Sequence, residues 1–208
     1  PGSQAGANVI KDFSILPGKT INVMVDNYDN ANSLFILSHK KYIKHSLPSK
    51  ISDLRFGKEY NGRLTTKPYD FGMFIELDGY YTGLLHSSEF KDYSTIKRDM
   101  RAGETVKVYV KGVSMKKKEY RIMLTLDREK IPAEILQWDD LKESIEGKAF
   151  DFSVSEYDHN MIDIYINGDS IQLKLADIYL DSDLSAFSKI TIHKVNVLEK
   201  VIGYTLIS

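Results

Sequence analysis

Four side chains stand out for what they could hold. Phe71 and Phe74 sit three apart in the stretch YDFGMFIELDGYYTGLLHSSEF, Tyr69 to Phe90, and His86 follows a Gly-Leu-Leu there. Arg121 lies on a later β-type run, YRIMLTL. A phenylalanine ring is a flat platform for stacking against another π-face. Histidine stacks and also donates a hydrogen bond to an oxygen acceptor. Arginine adds charge and a stacking plane. Lys111, Lys116, Lys117 and Lys118 flank the same hairpin as Arg121 and suit a phosphate backbone that rewards counterion release. Blander readings compete. Residues three apart on a plain strand point to opposite faces, so one phenylalanine would be core and one surface unless Gly72 bends the chain. A lone histidine is usually a polar surface residue, and Lys-Lys-Lys is more often a solvated hairpin tip.

Other chemistries lack their residues. There is no cysteine, which removes disulfides, thiolate metal sites and a cysteine nucleophile. The five histidines, at 39, 45, 86, 159 and 193, do not cluster at metal-ligand spacing. Phosphate-loop, Gly-x-Ser-x-Gly and His-Glu-x-x-His motifs are missing, so no enzyme activity and no cofactor are expected. No run of about 18 apolar residues suggests a membrane span.

The elements that must position the four residues read mostly as strands. From Gly57, KEYNGRLTTK, FGMFIEL, YTGLLH, ETVKVYVKGV and YRIMLTL make five strands within residues 57–128. A DGY turn joins the second and third, and Gly62 within the first suggests a bulge or sharp bend. SSEFKDYSTIKRDM supplies the helical turn between strands three and four, with Ser87 or Ser88 as its cap. That order is the pattern of an OB-fold barrel. Before it, TINVMVDNY and SLFILS form a hairpin, and HKKYIKHSLPSKISDL, polar and interrupted by proline, reads as a linker with a short helix at most. After it, residues 129–146 predict a connecting helix. Its apolar stripe is Ile131, Ile135, Trp138, Leu141 and Ile145, with Pro132 in the first turn and Gly147 as the cap. Residues 147–208 hold five more strands in the same element order. Residues 17–41 also resemble residues 102–128: Gly, a β run, a polar loop, then a second β run. So residues 8–45 read as the C-terminal half of a first repeat within a longer parent chain, and such a hairpin should pack on the rest of the molecule. Residues 1–7, PGSQAGA, read as an expression remnant. The fold class is therefore mostly all-β, tandem five-stranded OB barrels joined by a short linker and an α-helix.

At this point the residues resemble a known family. DFGMFIELDGYYTGLLHSSEF, with GKEYNGRL before it and AGETVKVYVKGV and YRIMLTLDRE after it, is similar to the S1 RNA-binding domain. This is the OB-fold repeat of ribosomal protein S1, found also in polynucleotide phosphorylase and ribonuclease E. The likeness spans residues 57–128, less closely 17–45, and only in element order 147–208. It implies that Phe71, Phe74 and His86 share one RNA-binding face, with Arg121 as the basic residue of the last strand. The aspartate usual at the end of the fourth strand falls near Ser114 here. The first turn, TTKPYDFG, is one residue longer than usual and carries a proline, so Lys67 and Tyr69 join the candidate contacts, as does Lys111.

The charge pattern sharpens the expectation. Residues 1–57 carry seven Lys/Arg against four Asp/Glu, residues 58–128 fourteen against ten, and residues 129–208 seven against fifteen. The overall −1 therefore divides into +7 over the first 128 residues and −8 over the last 80. The expected function is non-catalytic, low-specificity binding of single-stranded RNA in translation or RNA metabolism, in the cytoplasm. The alternative is a protein-docking or structural module that uses the acidic block 147–208, on a ribosomal, polymerase or viral assembly.

Overall fold

The computed structural model describes Gly18 and residues 20–116, 119–166 and 168–208. The expression remnant proposed at 1–7, and Lys117 and Lys118, lie outside the described residues. The chain divides into two compact units, residues 1–133 and 134–208.

The first unit opens with an antiparallel hairpin, β1 (Met24–Asp29) and β2 (Leu34–Ser38). The 39–54 linker holds a helix, twelve residues long, α1 (His39–Lys50). The Ser38 hydroxyl accepts from the Lys41 N–H to start it, Pro48 is tolerated in its last turn, and Ile43 is buried. Tyr81 of the following barrel donates its hydroxyl to the Lys50 carbonyl at 2.7 Å, holding the helix end in place.

The barrel itself is closed: β3 (Tyr60–Leu64), β4 (Gly72–Leu77), β5 (Tyr81–His86), β7 (Glu119–Thr125) and β6 (Thr105–Lys116), in that spatial order. All pairs are antiparallel except β5–β7, which closes the barrel in parallel. Alternation dictates the inside. Met73, Ile75, Leu77, Leu85, Val108, Val110, Ile122 and Leu124 are all buried. Asp78 and Gly79 turn β4 into β5 with positive φ of 50° and 72°, as a tight hairpin demands. Gly62 is not a bulge, because the β3–β6 register runs through it without a shift. A Cβ there would lie 2.1 Å from Ile75 Cγ2, so the glycine makes room for the core. The helical turn also differs from expectation. Residues 87–89 form a 3₁₀ turn, and α2 (Tyr93–Asp99) is capped by Asp92, whose side chain accepts from the Thr95 N–H.

In the second unit, α3 (Ala133–Ile145) lays Trp138, Leu141 and Ile145 on a core that includes Ile162, Ile164, Ile190 and Ile192. Ile131 falls before the helix. Between the stripe residues, Lys142 is also buried. It donates to the Val195 carbonyl at 3.1 Å and pairs with Glu146 at 3.0 Å, while Glu146 accepts from the Val195 N–H. Two three-stranded sheets follow. One has the order β11 (Asp169–Lys174), β10 (Met161–Ile166), β9 (Phe152–Val154); the other has β13 (Val201–Ile207), β12 (Lys189–Asn196), β8 (Ala149–Phe150). The first strand is thus broken at Asp151 and serves both sheets. Numbered within each unit, the barrel reads 1-2-3-5-4-1 and the second unit 3-2-1-4-5. This is the same circuit with the seam between strands three and five unpaired, an OB-type arrangement.

Three hairpins, β1–β2, β6–β7 and β12–β13, share one irregularity. The register shifts at Asp26 in β1, at Lys111 in β6 and at His193 in β12, each time with one extra residue in the first strand of the pair. Aligned on that bulge, Val25 and Leu37 correspond to Val110 and Leu124. The barrel pair is 0% and 2% exposed; the hairpin pair is 54% and 49% exposed. The β1–β2 hairpin therefore carries an interior-type face that the described residues leave open. Just before it, Asn22 donates to the Tyr80 hydroxyl at 3.5 Å.

Candidate nucleic-acid interface

Gly72 settles the facing of the two phenylalanines. Tyr69 and Gly72 exchange backbone hydrogen bonds of 2.9 and 3.3 Å, so Asp70 and Phe71 form the tip of a two-residue turn rather than part of a strand. Gly72 has φ +147°, and a Cβ there would sit 2.4 Å from the Leu85 carbonyl oxygen. Only glycine lets the turn press this closely on β5. Phe74, two residues on, points outward between the buried Met73 and Ile75. The result is a cluster of three rings. Tyr69 and Phe71 stack at 5.4 Å with planes 12° apart, and Phe74 meets Tyr69 and Phe71 edge-on at 5.9 and 6.1 Å. Tyr69 and Phe71 are 45% and 48% exposed. Two exposed rings on one turn, continued by the half-buried Phe74 on β4, make a contiguous aromatic patch of the kind that marks an interaction site.

His86 stands opposite Gly72 on β5 and is exposed. The Ser88 N–H donates to His86 Nδ1 at 3.2 Å and the Ser88 hydroxyl lies 2.8 Å from the same atom. An N–H can only donate, so Nδ1 is the acceptor and Nε2 carries the outward-facing N–H. The turn after His86 is anchored by Glu89, whose side chain is 7% exposed. It accepts from the Thr125 hydroxyl at 2.7 Å and pairs with Lys130 at 3.1 Å. Burial pushes the Glu89 carboxyl up, but Thr125 and Lys130 outweigh it and hold the group below its ordinary value.

The remaining candidates lie along a track rather than in one cluster. Phe74 pairs with Leu84, and Leu84 with Met123, so an apolar row crosses three strands on the outer face. Met123 is 46% exposed and had no signal in the sequence beyond its alternation with Ile122 and Leu124. Arg121 lies two residues before Met123 on the same face, directly across from Ser114. His86 lies two residues beyond Leu84. Because β5 and β7 run parallel, His86 and Arg121 flank the apolar row from opposite sides, about 13 Å apart along the strands. Lys111 is the bulged residue of β6, beside Met123, and Lys67 is exposed in the long first turn.

The whole of this surface belongs to one recognisable module. Residues 57–124 match the family model of the S1 RNA binding domain. The barrel is an S1 domain. Its chain is also similar to small ribosomal subunit protein bS1 of Staphylococcus epidermidis, 29% identical over 229 aligned positions that cover 96% of this chain and 57% of that protein. The bS1 homolog of Bacillus subtilis is 28% identical over 130 positions, covering 61% of this chain and 34% of its own length. The bS1 of Staphylococcus aureus strain COL is 30% identical over 119 positions, covering 54% and 30%. The chain thus spans little more than half of the first relative and about a third of the others. Among the described residues no helix is long and apolar enough to cross a membrane.

The second unit shows a different surface. Ile162 and Ile164 of β10 point inward, so Met161, Asp163 and Tyr165 point outward, paired with Lys174, Gln172 and Ser170 of β11. Its rings cluster against the core instead: Tyr179 meets Phe187 edge-on at 5.7 Å and stacks with Tyr204 at 6.4 Å.

Proposed function

We propose that the S1 domain holds single-stranded RNA with little sequence preference. Tyr69, Phe71 and Phe74 stack bases, His86 and Arg121 bind the strand on either side of the Leu84–Met123 row, and Lys67 and Lys111 follow its phosphates. The observation that carries this reading is the ring cluster that the exposed Tyr69 and Phe71 of the turn form with Phe74 of β4. Stacking tolerates every base, which is why low specificity follows from a site built of rings and cations rather than of base-edge hydrogen bonds. Similarity to the bS1 proteins supports a role in translation at the ribosome, in the cytoplasm, without catalysis by this part of the chain. The deciding measurement is fluorescence anisotropy with a labelled single-stranded RNA at two salt concentrations. Phe71→Ala/Phe74→Ala should weaken binding at least tenfold. Equal binding by parent and double variant, or none by either, refutes the site.

The β1–β2 hairpin is, in our reading, the last two strands of another S1-type repeat. Its shared bulge and its uncovered interior-type face support that reading. The second unit has a more protein-like surface, because it is acidic and exposes Tyr157 and Ile178 at 94% and 77%. A pull-down that loses a protein partner when residues 147–208 are deleted tests that role.

A further inference from the structure

Beside the ring cluster lies an open cleft of about 460 Å³, lined by Lys67, Asp70, Tyr93, Ser94, Lys97 and Arg98. Lys67, Lys97 and Arg98 meet Asp70 in it, and Arg98 also pairs with Asp99 at 2.8 Å, an exposed pair like that of Lys97 with Asp70. The cleft and the ring cluster are built from the same turn. Asp70 sits between Tyr69 and Phe71, and the Tyr93 hydroxyl donates to the Tyr69 carbonyl at 2.7 Å. The carboxylate is not committed to the fold. Asp70 pairs with Lys97, yet its side chain is 93% exposed. Solvent screens an exposed pair of this kind, so a competing anion displaces it at little cost. Lys67 owes its place to the lengthened turn, with Pro68 buried behind it.

We propose that this cleft is a second anchor for the same strand, binding the backbone phosphates of nucleotides that run past the ring cluster, with Asp70 as a stand-in anion that the phosphate replaces on Lys97. The inference rests on the RNA reading of the S1 domain. It adds Lys97 and Arg98 as phosphate ligands, and it gives the strand a direction in which to extend: off the rings and over α2, rather than only along the Leu84–Met123 row. The site takes no part in reading bases.

The test uses the full chain and two labelled oligouridylates, of four and of twelve nucleotides. The shorter one is satisfied by the rings; the longer one reaches the cleft. Lys97→Gln/Arg98→Gln should leave the four-mer affinity within twofold of the parent and weaken the twelve-mer about tenfold. Its salt slope for the twelve-mer should fall by about 1.4, the expectation of about 0.7 for each of two phosphate contacts to a single strand. Asp70→Asn frees Lys97 and should tighten the twelve-mer several-fold, a gain that no folding defect can imitate. Unchanged twelve-mer affinity and slope in the double glutamine variant, or no gain in Asp70→Asn, overturns the cleft. If Phe71→Ala/Phe74→Ala instead binds both oligomers like the parent, the RNA reading of the ring cluster is what fails.

Discussion

Gly72→Ala asks the fold and the interface the same question. The residue has φ +147°, a conformation that costs a side-chain-bearing residue about 1–3 kcal/mol. The new Cβ would lie 2.4 Å from the Leu85 carbonyl oxygen and 2.9 Å from His86 Cα, and both are backbone atoms of β5. Neither can swing aside as a flexible side chain would, so the strand itself must shift, an overpacking cost of about 1–3 kcal/mol more. The sum, about 2–6 kcal/mol, is a large fraction of the stability of a single domain. At about 4 °C per kcal/mol or more for a domain of this size, the Tm should fall by at least about 8 °C. Near-UV circular dichroism follows the tyrosine-rich barrel. Fluorescence of Trp138, the one tryptophan, follows the second unit and should keep its midpoint. Below the transition, RNA affinity should drop further than in His86→Ala, because the shift moves His86 and the Phe71 turn apart together. A variant whose barrel melts within a few degrees of the parent refutes the claim that Gly72 is required by close approach.

Other outcomes follow from the polar anchors and the layout of the track. Glu89 has a lowered folded-state pKa, so its contribution is complete above its ordinary value of 4.5 and is lost as pH falls through the folded value. Glu89→Gln should therefore cost about 1.5 kcal/mol at pH 7 in urea unfolding, and the gap to the parent should close below pH 4.5; a gap independent of pH rules this anchor out. His86→Ala and Arg121→Ala, separated along the strands, should be additive in RNA binding to within about 0.5 kcal/mol, whereas a strong coupling energy would mean that they grip the same group. Lys142→Ala strands Glu146 and the Val195 carbonyl, and should lower the Trp138-detected stability by about 3 kcal/mol while RNA affinity stays at the parent value.

How much of this was legible depended on whether neighbours or distant contacts set the geometry. The β4–β5 hairpin was plain, since alternation and an Asp-Gly turn are local signals. The parity of Phe71 and Phe74 was not, because it is decided by Gly72 leaving the strand to close a turn on Tyr69. Family likeness supplied the shared face where periodicity left it open. The α1 helix was hidden by its polarity and Pro48; it forms because Ser38 caps it and Ile43 is buried beneath it. Gly62 and Lys111 exchanged roles. The glycine that looked like a bulge is a packing void for Ile75, and the bulge falls on a lysine with no turn residue at its own position. Glu89 and Met123 carried no signal, since their importance comes from Thr125, Lys130 and Leu84, all distant in sequence or on another strand.

The recurrent fourth-strand bulge has a consequence for how such modules diversify. A bulged residue stands outside the ladder, so its side chain fills no core position, although Asp26 pairs with Lys41 at 3.5 Å and His193 meets Thr205 of β13 at 2.6 Å. Here the three occurrences hold an aspartate, a lysine and a histidine: an anion, a cation and an imidazole. One backbone device thus offers a position whose charge changes sign from hairpin to hairpin while the strand pairing beneath it stays the same. Exchanging Lys111 for aspartate or histidine would reset the local potential of the S1 domain at a position that the barrel core does not use.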